Sequence, residues 1–383
     1  MTTGLTLEIN VPSRGLRRSR VNVNVLRMSN TPRPGAGPDA NGVQGSFTAS
    51  GRPVVLGDVA RRAGVSAMTV SRVLNERPGV GDNTRARVFA VAAELGYRPN
   101  RLAQTLVTGR SHVLAVVSFD TAQYGPAATV FGIEQAARQA GYALQITTLR
   151  SDDPLPAPAV VEGLLSQAVA GLILAAPHYW TAQALRHLPA DRPAVALDVD
   201  IAQEGAPVIG LEQTTGARQA TEHLLALGHD TVWHVAGPTD QPSARARERA
   251  WREALVAADR TPPHLLRGDW SARSGYEQGR QLAALPGVTA VFAANDQMAL
   301  GVLRALREAG RDVPGDVSLV GYDDIPEAEY VWPPLTTVRQ DFGEAGRRAL
   351  ELLVAQIEGE PRTGTLVALE PELVVRGSSG PPP

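Results

Sequence analysis

From about residue 111 the chain alternates short apolar strands with amphipathic helices, and this alternation restricts its fold more than any other feature. The strand-like runs are "VLAVVSF", "ALQITTL", "GLILAA", "AVALDV", "TVWHVAG", "AVFAAN" and "VSLVGYD". Continuous apolar runs separated by helical periods predict parallel sheets covered on both faces. There are enough such runs for two doubly wound units, and the 383 residues suffice for two or three domains.

The N-terminal part reads differently. Residues 56–97 carry three short helical patterns. Leu56, Val59, Ala60 and Ala63 form one apolar face. Ser66 is a good N-cap for a second helix that buries Val70, Val73 and Leu74. Val88, Val91, Ala92 and Leu95 repeat at i, i+3, i+4, i+7 in a third, which stops at Gly96. Residues 1–51, with stretches such as "SNTPRPGAGPDANG", hold no period and are expected to be a disordered extension.

A net charge of −2 conceals a strong asymmetry. Residues 1–51 hold six arginines against two acids, and residues 52–110 hold ten against four. The remainder is acidic. A basic head on an acidic body predicts a polyanionic partner for the head alone.

With no cysteine, the chain has no disulfides, thiolate metal sites or cysteine nucleophiles. No run of eighteen apolar residues occurs, and the N-terminus lacks the pattern of an export signal, so a cytoplasmic protein without a membrane partner is expected. Enzyme signatures are missing too: no GxGxxG after the first strand, no GxxxxGK[ST] and no GxSxG. His223, His229 and His234 are dispersed and read as structural. No catalytic residue, cofactor or metal site is expected.

The helices on either side of Gly64 have helix-turn-helix dimensions. In that motif the second helix lies in the major groove with its first residues near base edges. Ser66, Thr69 and Ser71 allow close approach and can donate to phosphate, while Arg72 can grip a phosphate or read a guanine.

"VSAMTVSRVLN" together with "GYRPNRLAQTLVTGR" closely resembles the LacI family of bacterial transcription regulators, and the resemblance runs from residue 54 to about 376. It implies a small all-α helix-turn-helix head (52–97), a hinge helix and linker (98–110), and a periplasmic-binding-protein-like body of two doubly wound α/β subdomains (111–376), with a disordered tail at 377–383. It implies a homodimer on double-stranded, near-palindromic operator DNA with a deformable, CG-type centre. The DNA-binding set is Ser66, Ala67, Met68, Thr69, Ser71, Arg72 and Asn75 in the head, then Asn100, Arg101, Ala103, Gln104 and Leu106 in the hinge. Leu106 takes the place of the leucine that wedges into the minor groove, where an apolar wedge spends unstacking energy to bend DNA. Ala67 and Met68 stand at the two principal base-reading positions; they can meet thymine methyls but cannot make bidentate hydrogen bonds. Family members that tetramerise do so through a leucine heptad tail. Here the sequence closes on "VVRGSSGPPP", so a dimer is expected.

The effector set is sought just after strands, where open α/β sheets bind ligands. Asp198, Arg247, Trp270, Asn295, Asp323 and Gln340 match residue types of a sugar-responsive member of the family. Carboxylates and amides suit sugar hydroxyls, a guanidinium fork spans two adjacent ones, and an indole can stack on a sugar's C–H face. The resemblance implies a galactoside-like inducer of a repressor. Asp296 and Asp324 are expected only to cap helices, and Asp323 and Asp324 to point apart. A transport sugar-binding protein and an α/β enzyme are the competing classes, disfavoured by the head and by the missing motifs.

Overall fold

The computed structural model describes Arg52 to Pro383, apart from residues 53, 76, 98–110, 120, 150–155, 177 and 198–204. The hinge positions Asn100, Arg101, Ala103, Gln104 and Leu106, the extension 1–51 and the cleft candidate Asp198 lie outside the described residues.

The chain divides into two compact units, one ending at Arg98 and the other starting at Pro99. In the first unit, α1 (Leu56–Ala63), α2 (Ala67–Leu74) and α3 (Asp82–Glu94) enclose a core of Val59, Ala60, Ala63, Val70, Val73, Val88, Val91 and Ala92. Gly64 closes α1 at φ 64, a left-handed turn that glycine adopts without steric cost. Ser66 caps α2 by accepting from the Thr69 amide at 3.1 Å. Arg85 of α3 donates to the Arg77 carbonyl at 3.1 Å and so holds the segment leaving α2.

The body contains two six-stranded sheets. The first is built from β1 (Val113–Phe119), β2 (Ala143–Leu149), β3 (Gly171–Ala175), β4 (Ala194–Leu197), β5 (Val208–Leu211) and β11 (Leu366–Leu369), in the order β2-β1-β3-β4-β5-β11, all parallel. The second repeats the plan with β6 (Trp233–Ala236), β7 (Leu266–Arg267), β8 (Ala290–Ala293), β9 (Ser318–Asp323), β10 (Thr336–Arg339) and an antiparallel edge, β12 (Glu372–Val374). Its order is β7-β6-β8-β9-β10-β12. In each sheet the strand order reverses beside its first strand, the doubly wound arrangement whose crevice accepts ligands.

The chain passes between the sheets three times, at Glu212–Gln213, Gln340–Asp341 and Glu370–Pro371. After the second passage the helix Phe342–Glu358 returns to the first sheet and buries Ala345, Ala349, Leu350 and Leu353 against Leu114, Ile173 and Val195. Neither subdomain is therefore a continuous piece of sequence.

Three expectations are corrected. Residues 377–383 do not form a free tail: the Ser378 hydroxyl donates to the Leu319 carbonyl at 2.6 Å and accepts from the Thr336 amide at 2.8 Å, and the Gly380 amide donates to Ser318 Oγ at 2.9 Å. They pack across the starts of the interior strands β9 and β10 and so belong to the body. Nor does Asp296 cap the helix Asp296–Glu308. Asn295 caps it, accepting from the Met298 amide at 2.9 Å. Asp296 is fully buried and straps β8 to its neighbours, accepting from the Ile325 amide at 2.9 Å and meeting Thr337 Oγ1 at 2.6 Å. Asp324 is not a cap either; it pairs with Arg339 and Arg376, each at 2.7 Å.

Candidate functional site

Both candidate sites follow from where the sequence puts strand ends and helix starts. In the head, Ser66, Ala67, Met68, Arg72 and Asn75 are exposed along α2, and Thr69 and Ser71 are half-buried beside them. The apolar side of the helix is spent on Val70 and Val73, which forces these polar and small residues onto the opposite face. Met68 is 69% exposed, unusual for a large apolar side chain and suited to a surface that meets something else. Part of the hydroxyl set serves the helix: Ser66 Oγ lies 2.9 Å from Thr69 Oγ1, and Asn75 Nδ2 donates to the Ser71 carbonyl at 2.8 Å. Arg72 remains on the exposed face.

In the body, the carboxyl ends of both sheets enclose a cleft of about 360 Å³. Arg247, Trp270, Asn295, Asp323 and Gln340 all line it, as does Gln213 on the first chain passage. The sheet topology accounts for the convergence: Asn295 follows β8, Asp323 ends β9 and Gln340 follows β10.

Arg247 comes from the helix Pro242–Ala257 and is only 5% exposed. Its Nε donates to Gln213 Oε1 at 2.9 Å, its Nη1 to the Ala294 carbonyl, and its Nη2 to Asp323 Oδ1 at 3.4 Å. The guanidinium lies 3.7 Å from the centroid of the Tyr322 ring and 5.5 Å from that of Trp270. A buried cation with so many partners is fixed in orientation before any ligand arrives. Burial pushes the Asp323 carboxyl up to about 6, against the opposing pull of Arg247. The phenol of Tyr322 is pushed upward by burial. Asp324 is held below the ordinary value by Arg376 and Arg339 despite partial burial. The neighbouring aspartates thus have different partners: Asp323 lines the cleft beside Arg247, and Asp324 pairs with Arg339 and Arg376.

Backbone strain collects here. Trp270, Asp323 and Asp324 have φ of 72, 106 and 53, a region costly for residues with a Cβ. The Trp270 ring crosses Gly237 so closely that a Cβ there would sit 2.4 Å from it, so only glycine admits the indole. One buried donor at the cleft, Trp270 Nε1, has no partner among the described residues, while the Gln340 side chain hydrogen-bonds the Tyr322 phenol. Unpaired buried donors are costly and commonly mark a place where a ligand or water completes the set. Asn295, by contrast, already uses its oxygen on the Met298 amide and donates from Nδ2 to the Trp270 carbonyl and to Gln297 Oε1. It holds Trp270 in place at least as much as it offers a group to the cleft.

On the opposite wall, Phe119, Tyr179, Leu211 and Phe342, which line it together with Tyr124, were not singled out from the sequence. The signal was present, since Phe119 is the last residue of "VLAVVSF", but the search was for polar groups after strands. Gln213 was missed because β5, "VIGL", was not recognised as a strand.

The comparisons agree with this architecture. The family described as "Bacterial regulatory proteins, lacI family" matches residues 55–100, and the "Periplasmic binding protein-like domain" matches residues 221–379. The chain is 38% identical over 319 residues to the lactose operon repressor of Escherichia coli K12, covering 82% of this chain and 87% of that protein. It is 36% identical over 335 residues to the transcriptional regulator CelR of Thermobifida fusca, covering 84% and 96%. Among solved structures, the Lac repressor dimer bound to operator and an anti-inducer is similar with a TM-score of 0.77 and 36% identity, covering 86% of this chain and all of that one. A CelR–cellobiose complex is similar with a TM-score of 0.63 and 35% identity, covering 85% and 100%. The helix-turn-helix head, the paired doubly wound sheets and these matches over most of the sequence lead to one conclusion: the chain belongs to the LacI family of bacterial regulatory proteins, DNA-binding regulators of transcription.

Proposed function

We propose that the protein is a cytoplasmic homodimeric repressor whose operator affinity is lowered by a galactoside-like sugar bound in the body cleft. The observation that carries this reading is the buried Arg247–Asp323 pair beside the partnerless Trp270 donor. Together they bring a guanidinium, an acceptor and a free N–H group to the cleft, groups suited to sugar hydroxyls. The lactose operon repressor and the CelR–cellobiose complex give sugar chemistry its support from related proteins.

In the head, Ser66, Thr69, Ser71, Arg72 and Asn75 contact phosphates and bases, and Ala67 and Met68 read thymine methyls in the major groove. Asn100, Arg101, Ala103, Gln104 and Leu106 form the minor-groove hinge, with Leu106 as wedge. Asp198 completes the effector set. Two-fold symmetry of the dimer matches a near-palindromic operator. Regulation requires sugar to bind the DNA-incompetent arrangement better than the competent one, because only differential affinity shifts an equilibrium. Calorimetry with galactosides, glucosides and pentoses tests the ligand class: a galactoside binds most tightly, and heat from none of them would overturn the reading.

A further inference from the structure

Gln213 stands where the chain first passes from one sheet to the other, and it is held from three sides. Its Oε1 accepts from Arg247 Nε at 2.9 Å, and its Nε2 donates at 3.0 Å to the carbonyl of Leu211, the last residue of β5. Its backbone carbonyl accepts from the Tyr322 phenol at 3.1 Å. One residue thus joins a strand of the first sheet, a strand of the second and the arginine of the cleft.

Tyr322 is the other half of this arrangement. It is fully buried in β9, one residue before Asp323. Its ring lies against the Arg247 guanidinium, 3.7 Å from the ring centroid, and beside Phe292 with centroids 6.2 Å apart. The ring alone accounts for that packing, and phenylalanine would supply it. The hydroxyl does something else. It reaches the Gln213 carbonyl, and the side chain of Gln340, on the second passage, hydrogen-bonds it as well. Gly216, in the first turn of the helix Thr214–Ala226, leaves room for it: a Cβ there would sit 2.6 Å from the phenol oxygen. Two of the three chain passages therefore meet on one buried oxygen, whose ring supports the arginine of the cleft.

A buried hydroxyl is stable only where it is hydrogen-bonded, so this oxygen fixes the passages to β9. Any shift of Arg247 toward a ligand bears on two groups it already touches, the Gln213 side chain and the Tyr322 ring. We propose that Tyr322 is a positioning residue for the effector response: its ring sets Arg247 for binding, and its hydroxyl conveys the occupied state of the cleft to the chain passages. This rests on the reading of the cleft as a sugar site.

Tyr322→Phe in the full-length protein separates the two roles. Calorimetry with lactose and methyl β-galactoside should give affinities within about threefold of wild type, because the ring that faces Arg247 is kept. The ratio of operator affinities without and with saturating sugar, read by fluorescence anisotropy, should fall several-fold, the usual worth of one hydrogen bond. Tyr322→Leu removes the ring as well and should weaken sugar binding by about tenfold. A tyrosine that only fills the core would move both readouts together or neither. A Tyr322→Phe variant that keeps the wild-type ratio overturns the proposal, as does one whose sugar affinity falls as far as its ratio. Hydrogen exchange at residues 212–216 tests the tie with no sugar present. Those amides should exchange several-fold faster in Tyr322→Phe than in wild type, while α1–α3 are unchanged; equal exchange overturns the tie. If the wild type binds neither sugar, the galactoside reading falls by itself: faster exchange then keeps the tie for an effector of other chemistry, and equal exchange removes both.

Discussion

Arg247 and Asp323 meet inside the cleft at 3.4 Å, their side chains only 6% and 10% exposed. They come from different parts of the second subdomain, the helix Pro242–Ala257 and the end of β9. Each is costly to bury alone, so each depends on the other. Arg247→Ala leaves the carboxylate buried without its partner. Sugar affinity should fall by well over tenfold, measured by calorimetry, while operator affinity in the absence of sugar stays at the wild-type level.

Asp323 also gives stability a pH dependence. Its carboxyl ionises near 6 in the folded protein against an ordinary 3.8. An acid raised by folding stabilises the fold fully below its unfolded value and loses that contribution as pH rises through the folded value. Between pH 4 and pH 6 the wild type should therefore lose stability relative to Asp323→Asn. Melting curves across that range should show the Asn variant gaining on the wild type as pH rises; a constant difference would contradict the assignment.

Asp296 should prove a fold residue. Burial pushes its carboxyl well upward, and Asp323 adds to the effect. Asp296→Asn retains an acceptor for the Ile325 amide and should be mild. Asp296→Ala strands that amide and Thr337 Oγ1, costing about 1–3 kcal/mol per unpaired group in urea denaturation.

Truncation after Gly377 should destabilise the second subdomain. It removes the acceptor for the Thr336 amide and the partner of His229 Nε2, which meets the Gly380 carbonyl at 3.0 Å. A loss on the order of 2–4 kcal/mol is expected from two such groups, read as a lower urea midpoint.

Met68→Gln should change which bases the head prefers without weakening its grip on random DNA. An amide can form paired hydrogen bonds with adenine where a thioether cannot, and the other α2 residues proposed to meet phosphate are left unchanged. Selection from a randomised half-site library reads the change.

Part of the fold was legible because β1, "VLAVVSF", is a continuous apolar run buried along its middle. "ALQITTL" coincides with β2 although that strand lies at the sheet edge and is mostly exposed or half-buried. Short strands were read unevenly: β4, β6 and β8 fall in recognised apolar runs, whereas "VIGL" and "TTVR", also four residues long, escaped, "TTVR" because it is mostly polar. The tail escaped because Gly, Ser and Pro resemble a linker, whereas here Ser378 uses its hydroxyl to tie together the starts of β9 and β10. Asp296 looked like a helix cap from its place after a strand; that role belongs to Asn295 one residue earlier, and only the fold brings Ile325 and Thr337 to the aspartate. On the polar side of the cleft, Asn295 and Asp323 were readable because they follow recognised apolar runs, whereas Gln340, after the unrecognised "TTVR", came only with the family resemblance. On the opposite wall Phe119 and Tyr179 were not readable, because a strand-end phenylalanine or a first-turn tyrosine is indistinguishable in sequence from core.

The central claim is that sugar in the cleft loosens the protein's hold on its operator. Fluorescence anisotropy on a labelled palindromic operator, titrated with protein at zero and at saturating galactoside, measures this directly. Wild-type protein should bind at least tenfold more weakly with sugar, in line with the usual size of allosteric coupling, and Arg247→Ala should bind equally tightly with and without it. An operator affinity indifferent to sugar in the wild type, or an Arg247→Ala variant released at the wild-type sugar concentration, would contradict the account.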